Sequence, residues 1–497
     1  MVSARKDLFV PTSVLLRSLQ AATLITLAGA ALAQAPASIE DQIERIQNGL
    51  LRPVAIKGEP FPTLKLADEM AKMHVPGVSV AVIHGGKIEW ARGFGVRSIG
   101  GAAVKPDTLF QAASISKPVT ALAVLRFVES GRINLDADVN QYLKSWQVPG
   151  NSFTQTTKVT VRELLTHTAG LTVHGFAGYA STTPLPSLLQ VLNGEKPANS
   201  DAIRVDVKPG TVWRYSGGGY VVLQQMLEDL SGEPFPKLMH DTVLVPIRMA
   251  HSTYEQPLPK SRMAEVALPY RGDGKPLEGG PHTYPEMAPA GLWTTPSDLA
   301  RYALEVQRAL AGTSKLVLSK AMVQQMLTPG LNDWGLGPEL GGSSEHRYFT
   351  HGGGNEGYRC QLVAYNQGDG VVIMTNGDGG GAVAGEMLRS VAHEYGWPDF
   401  QPKLHSISKV DPKIFDSFAG QYQSEFGLFT VTREGDELFV QLAGRPKIRL
   451  YPESDREYFL TAADATVTFE VDSQGKTDQL TYHEPGNNLP AKRVAIK

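Results

Sequence analysis

Ala113-Ser114-Ile115-Ser116-Lys117-Pro118 is the stretch on which the fold of this 497-residue chain turns. It opens an apolar run from Pro118 to Val128, and Gly131 stands just past the end of that run, as at the close of a helix. Side chains three positions apart share a helix face, so Ser114 Oγ and Lys117 Nζ are expected within hydrogen-bond reach at the helix foot. A serine hydroxyl is a weak nucleophile at neutral pH and needs a base beside it. A lysine supplies that base once burial or neighbouring cations bring its pKa down from about 10.4. The helix start also offers unpaired N–H groups and a positive dipole end to a developing oxyanion. Alone, a serine-x-x-lysine string equally describes a capped, solvated helix start, so its company decides the reading.

The company is a large chain of mixed character. Its 42% hydrophobic and 20% charged residues, with 50 glycines, describe a globular protein rich in turns. A net charge of -3 and the lack of a basic stripe argue against a nucleic-acid partner. Arg5, Lys6 and Arg17 precede an apolar stretch from Ala21 to Leu32 that ends in Ala31-Leu32-Ala33. That order predicts a secretory leader cut after Ala33, too short to remain as a membrane anchor, and hence a periplasmic or secreted protein. Cys360 is the single cysteine, which excludes an internal disulfide and a cysteine metal site. It lies in an alternating, strand-like segment and reads as a buried structural thiol. His167 and His174 are a poor metal pair, and no metal or cofactor is expected.

Around the Ser114 helix the pattern alternates between strands and helices. Val78–Ile83 and Ile88–Phe94 flank Gly85-Gly86 as a hairpin. Thr160-Val161-Arg162-Glu163 is a capping box, and residues 171–212 read as an insertion or lid. Helices are expected over Tyr220–Leu230 and Ser297–Leu310, and a long Pro/Gly-rich connection over 254–290. Strands return at Arg347–Thr350, Tyr358–Tyr365 and Val371–Thr375, followed by a helix over Gly381–Tyr395. This predicts an α+β fold with one antiparallel sheet completed by both ends of the domain and flanked by helices, with a helical subdomain. The expected division is a leader over 1–33, a main domain over 34–400 and a linker over 401–412. Short alternating segments then form a small all-β barrel or sandwich over 413–497.

Two clusters complete an acyl-transfer set. Tyr215-Ser216-Gly217 precedes a helix, and a phenol near the serine and lysine can exchange protons with the nucleophile and the leaving group. His351-Gly352-Gly353-Gly354 follows a strand, and its glycines leave room for a substrate to run along the strand edge. The N–H of Gly354 is a candidate to pair with that of Ser114 as an oxyanion hole.

With Leu164–Leu171, Tyr215–Tyr220 and Ala290–Thr295 also in order, the chain resembles the serine β-lactamase/penicillin-binding-protein superfamily. The similar branch contains class C β-lactamases, D-amino-acid peptidases and esterases. The resemblance spans about residues 65–395 and implies the β-lactamase/DD-peptidase-like fold. It implies Ser114 as nucleophile, Lys117 as proton relay and Tyr215 as general base, with His351 beside the tyrosine. It also implies Gly217, Gly352, Gly353 and Gly354 at the substrate and oxyanion positions. One departure stands out: the second motif of the family reads Tyr-x-Asn, and here Gly217 replaces the amide that grips a substrate carbonyl. The expected activity is hydrolysis of short peptides, particularly with D-residues, or of carboxylic esters, with β-lactams third. The rival is a non-catalytic binder of cell-wall fragments.

Overall fold

A computed structural model describes residues 38–62, 64–472 and 475–495. The segment read as a leader, with its cut after Ala33, lies outside them. The central sheet has six antiparallel strands in the spatial order Lys87–Gly95, Gly77–His84, Gly370–Thr375, Tyr358–Tyr365, Tyr348–Asn355 and Glu339–Gly341. The first hairpin is therefore seated directly against the last one, as the sequence predicts.

Strand periodicity explains how this sheet separates two cores. Val78, Val80 and Val82 turn to one face and pack with Val371 and Ile373 under the helices Gly380–Glu394 and Ile39–Asn48. Ala81 and Ile83 turn to the other face, with Val372 and Met374. There they meet the helical subdomain built on Ser116–Glu129, Gly217–Ser231 and Pro296–Ala311. The Thr160 capping box is present in full, and Ser187 and Gln190 form a second one inside the predicted insertion.

Several boundaries differ from expectation. The Tyr220 helix begins at Gly217, because Ser216 caps it by accepting from Gly219 N. The strand expected to stop at Thr350 continues to Asn355, since Tyr358–Tyr365 pairs with every residue of the glycine run. Glu339–Gly341 adds an edge strand that three residues could not announce. The predicted linker is not free chain. Lys403–His405 pairs in parallel with Val54–Ile56, so the connector is sewn to the start of the main domain.

The C-terminal module is a closed barrel, not a sandwich. Eight antiparallel strands run in sequence order from Gly420–Ser424 to Asn487–Val494, and Gln421 pairs with Val494 to close the ring. The short helix Phe415–Phe418 lies against the barrel core, with Phe418 stacked on Phe469 at 4.2 Å. The barrel is tied to the connector strand through Lys403–Asp464 and His405–Glu453. Among the described residues no hydrogen bond or ion pair joins it to the surroundings of Ser114.

Candidate active site

Ser114 sits in a 3-10 turn, Ala113–Ile115, that leads into the Ser116–Glu129 helix. Pro118 falls in the first turn of that helix, where its missing N–H costs no intrahelical bond. The residue before the serine is unusual. Ala113 is fully buried at φ 50°, a left-handed conformation that a non-glycine residue holds only when its surroundings enforce it. The enforcement is visible. Ala112 N donates to Leu292 O at 2.8 Å, Leu292 N donates to Ser116 Oγ at 3.0 Å, and the Tyr254 hydroxyl donates to Ser116 O at 2.9 Å. From the other side comes the glycine strand: a methyl on Gly353 would lie 2.3 Å from the Ala112 carbonyl oxygen. Only a glycine lets the strand lie this close to the turn.

Lys117 Nζ lies 2.9 Å from Ser114 Oγ and donates to the Pro289 carbonyl at 3.1 Å. The lysine is buried, and burial alone pulls its pKa down to about 7. No carboxylate offsets that loss of solvation, so the amine is uncharged in a substantial fraction of molecules at neutral pH. The Tyr215 ring centroid lies 4.8 Å from Lys117 Nζ, and the nearby Ser114 hydroxyl partly offsets the effect of burial on its phenol. Burial raises the phenol well above its ordinary value and keeps it protonated. His351 is buried with its ring 6.1 Å from that of Tyr215. Its Nδ1 is 2.6 Å from the Gly352 carbonyl, which makes Nδ1 the protonated nitrogen. Burial, then the nearby Lys117 charge, push His351 down to about 3, so the ring is a neutral imidazole.

The expected residues Ser114, Lys117, Tyr215 and His351 are thus brought together. Gly352, Gly353 and Gly354 run past the Ser114 turn on a strand segment that Glu339–Gly341, reaching only to Thr350, leaves unpaired on its outer side. Gly217, expected at the substrate position, has no side chain to offer there, and its N–H donates to His174 O at 2.9 Å. Trp293 is 2% exposed and belongs to the core. Cys360 is buried too; its thiol donates to Gln111 O, and burial raises its pKa to about 12.

The sequence missed most of what surrounds the phenol. His167 packs on Tyr215 at 4.3 Å, Trp334 packs on Tyr215 at 5.8 Å, and Trp213 lies against Trp334 at 5.3 Å. His167 Nδ1 accepts from Ser216 N, so this buried ring too is neutral, its pKa lowered by burial first. Glu286 is a second omission. It is fully buried, its carboxyl pushed up to about 7 by burial, and it accepts from the Tyr179 hydroxyl at 3.4 Å. Tyr179 in turn pairs with Thr283 through both backbone bonds, which ties the insertion to the segment carrying the Pro289 carbonyl. Among the described residues no group of three or more His, Cys, Asp or Glu side chains is placed to hold a metal ion.

This geometry has counterparts. Residues 65–395 match the Beta-lactamase family. The chain belongs to that family. Residues 405–492, which span the barrel except the end of its last strand, match a domain of unknown function, DUF3471. Penicillin-binding protein 4* of Bacillus subtilis (strain 168) is 25% identical over 463 residues, covering 86% of this chain and 97% of that protein. Protein flp of Staphylococcus aureus (strain N315) is also 25% identical, over 46% of this chain, which spans 43% of that relative. Among solved structures, the octameric penicillin-binding protein homologue from Pyrococcus abyssi superposes with a TM-score of 0.59 at 23% identity. That match covers 86% of this chain and 98% of the other. SurE with D-Leu superposes with a TM-score of 0.52 at 22% identity, covering 86% and 97%. This Beta-lactamase-family chain therefore has the penicillin-binding-protein-like fold of the serine hydrolases, followed by an eight-stranded barrel. Among its described residues no helix is long and apolar enough to cross a membrane.

Proposed function

We propose that this chain hydrolyses carboxylic esters and short peptide or amide bonds through an acyl-enzyme on Ser114. One observation carries the reading: a buried amine without a carboxylate partner lies 2.9 Å from the Ser114 hydroxyl. Neutral Lys117 takes the serine proton as Oγ attacks the substrate carbonyl. The tetrahedral oxyanion forms between the backbone N–H groups of Ser114 and Gly354. Tyr215, held as a phenol, passes its proton to the leaving group and is reprotonated from Lys117; the carbonyl–leaving-group bond breaks. Water then attacks the acyl-serine, its proton returning through the same pair, and the free acid departs. On this reading Lys117, not Tyr215, is the first proton acceptor. Neutral His351 keeps a second positive charge away from the amine.

The resemblance to penicillin-binding proteins supports amide and peptide substrates, and the missing amide at Gly217 supports esters over β-lactams. We further read residues 1–33 as an export leader, which an intact mass beginning at Gln34 would establish. The activity is tested with nitrophenyl esters, D- and L-aminoacyl anilides and nitrocefin, on wild type and Ser114→Ala. Turnover lost by at least about a thousandfold in the variant supports the reading. Turnover that survives Ser114→Ala, or a folded wild type inert towards the whole panel, defeats it.

A further inference from the structure

The two ends of the barrel are unlike. The helix Phe415–Phe418 closes one: Asp416 pairs with Arg433, the Ser417 carbonyl accepts from Arg493, and Phe418 stacks on Phe469. Arg433 and Arg493 lie near the far ends of the strands Gly427–Glu434 and Asn487–Val494. The beginnings of those strands therefore mark the opposite end. There Phe429, Val440, Leu460, Tyr482 and Leu489 line a cavity of about 390 Å³. Phe429, Val440 and Leu460 belong to the barrel's own core, so the cavity is the lumen itself. An eight-stranded barrel is just wide enough to be filled by its side chains or to hold one small ligand. This one is filled at the helix end, where Phe418, Tyr422, Tyr458 and Phe469 are in ring contact, and is a cup at the other.

The wall and the rim differ in chemistry. The wall is mostly apolar and offers water few partners. At the roughly 30 Å³ that one water takes in the liquid, the cup has room for about a dozen heavy atoms. At the lip stands Phe426, 59% exposed, its N–H donating to Ser424 Oγ. Arg445 also lines the mouth, on a turn held by Arg445 N to Leu442 O and by Gln441 Nε2 to Arg445 O. Its guanidinium has no hydrogen bond or ion pair among the described residues. Glu484, the carboxylate of the same rim, accepts from the Asn487 amide at 3.4 Å. The uncommitted charge at the mouth is thus positive, and an anionic head on an apolar chain complements both parts.

We infer that the barrel cup binds one single-chain aliphatic carboxylate of about twelve carbons, tail inward and carboxylate at Arg445. The site is separate from Ser114 and does not depend on acyl-enzyme chemistry. Calorimetry of the whole chain with octanoate, nonanoate and decanoate tests it: each added methylene should tighten binding about fourfold. Decanol should bind more weakly than decanoate. Arg445→Ala should cost decanoate about threefold and leave decanol unchanged. Leu442→Trp, which fills the mouth, should weaken both at least about tenfold. A decanoate with a terminal diazirine, photolysed in the complex and mapped by peptide mass, should mark barrel residues between 429 and 489. No binding, affinity indifferent to chain length, or a label confined to the surroundings of Ser114 overturns the cup site. Equal binding of decanol and decanoate, or decanoate undisturbed in Arg445→Ala, overturns the carboxylate as its ligand. Arg445→Ala alters only an exposed side chain, so the proposal stays falsifiable even where Leu442→Trp fails to fold.

Discussion

The main domain and the barrel treat charge in opposite ways. Around Ser114 the chain buries Lys117, His167, His351 and Glu286, none of which has a charged partner, and it holds Ala113 in a strained turn. In the barrel, charges sit at the surface in pairs, such as Arg449–Glu437 at 2.6 Å and Arg433–Asp416 at 2.8 Å, over an aromatic core. The first arrangement lowers stability, as sites built for chemistry commonly do, and the second adds only the small stabilisation of surface ion pairs. Where a fold spends stability is therefore a guide to where it works.

Lys117→Met should break that contrast most severely. Acylation of Ser114 is expected to fall at least a thousandfold, followed with a nitrophenyl ester. Stability should move the other way. Lowering the lysine from 10.5 to about 7 costs about 5 kcal/mol below pH 7, which methionine does not incur. The sign follows from proton counting. Between pH 7 and 10.5 the unfolded chain holds a proton on this amine that the folded chain lacks, so wild-type stability rises with pH across that window. The advantage of Lys117→Met in urea should thus be full below pH 7 and shrink towards pH 10.5. An advantage independent of pH would contradict the buried-amine account.

Next in size is the barrel core. Phe418→Ala removes a ring stacked on Phe469 and should lower the stability of the barrel by about 3–5 kcal/mol, measured as its own unfolding transition. Ester hydrolysis at room temperature should change far less, because among the described residues no hydrogen bond or ion pair links the barrel to the Ser114 region.

The pH dependence sharpens the comparison further. Acylation should rise about tenfold per pH unit below 7 and level off above it, as Lys117 loses its proton. Glu286 titrates in the same range, so Glu286→Gln separates the two: the midpoint near 7 should persist if the lysine sets it. The smallest effect belongs to the barrel surface, where Arg449→Ala should cost no more than about 0.5–1 kcal/mol despite the short ion pair.

The serine, lysine, tyrosine and histidine were legible because each lies inside a local pattern: a helix foot, a helix start, a glycine run beside a strand. The aromatic shell was not. Trp334 and Phe176 reach Tyr215 and Gly217 from loops distant in sequence, and no periodicity marks either. Nothing local signals that Ala113 turns left-handed, since that conformation is imposed by Gly353 and Leu292. Two barrel strands carry little local signal for a different reason. Gly420–Ser424 is mostly polar, and Asn487–Val494 contains Pro490, a residue that argues against a strand. The Val54–Ile56 ribbon depends on a partner supplied by the far connector, which no local window can see.

The seating of the first hairpin against Gly370–Thr375 has a temporal consequence. A ribosome releases Gly77–His84 long before its neighbour exists, so this β layer stays an open template until almost the whole domain has emerged. Nascent chains halted before residue 370 should therefore remain protease-sensitive and prone to clump, however well their helices form.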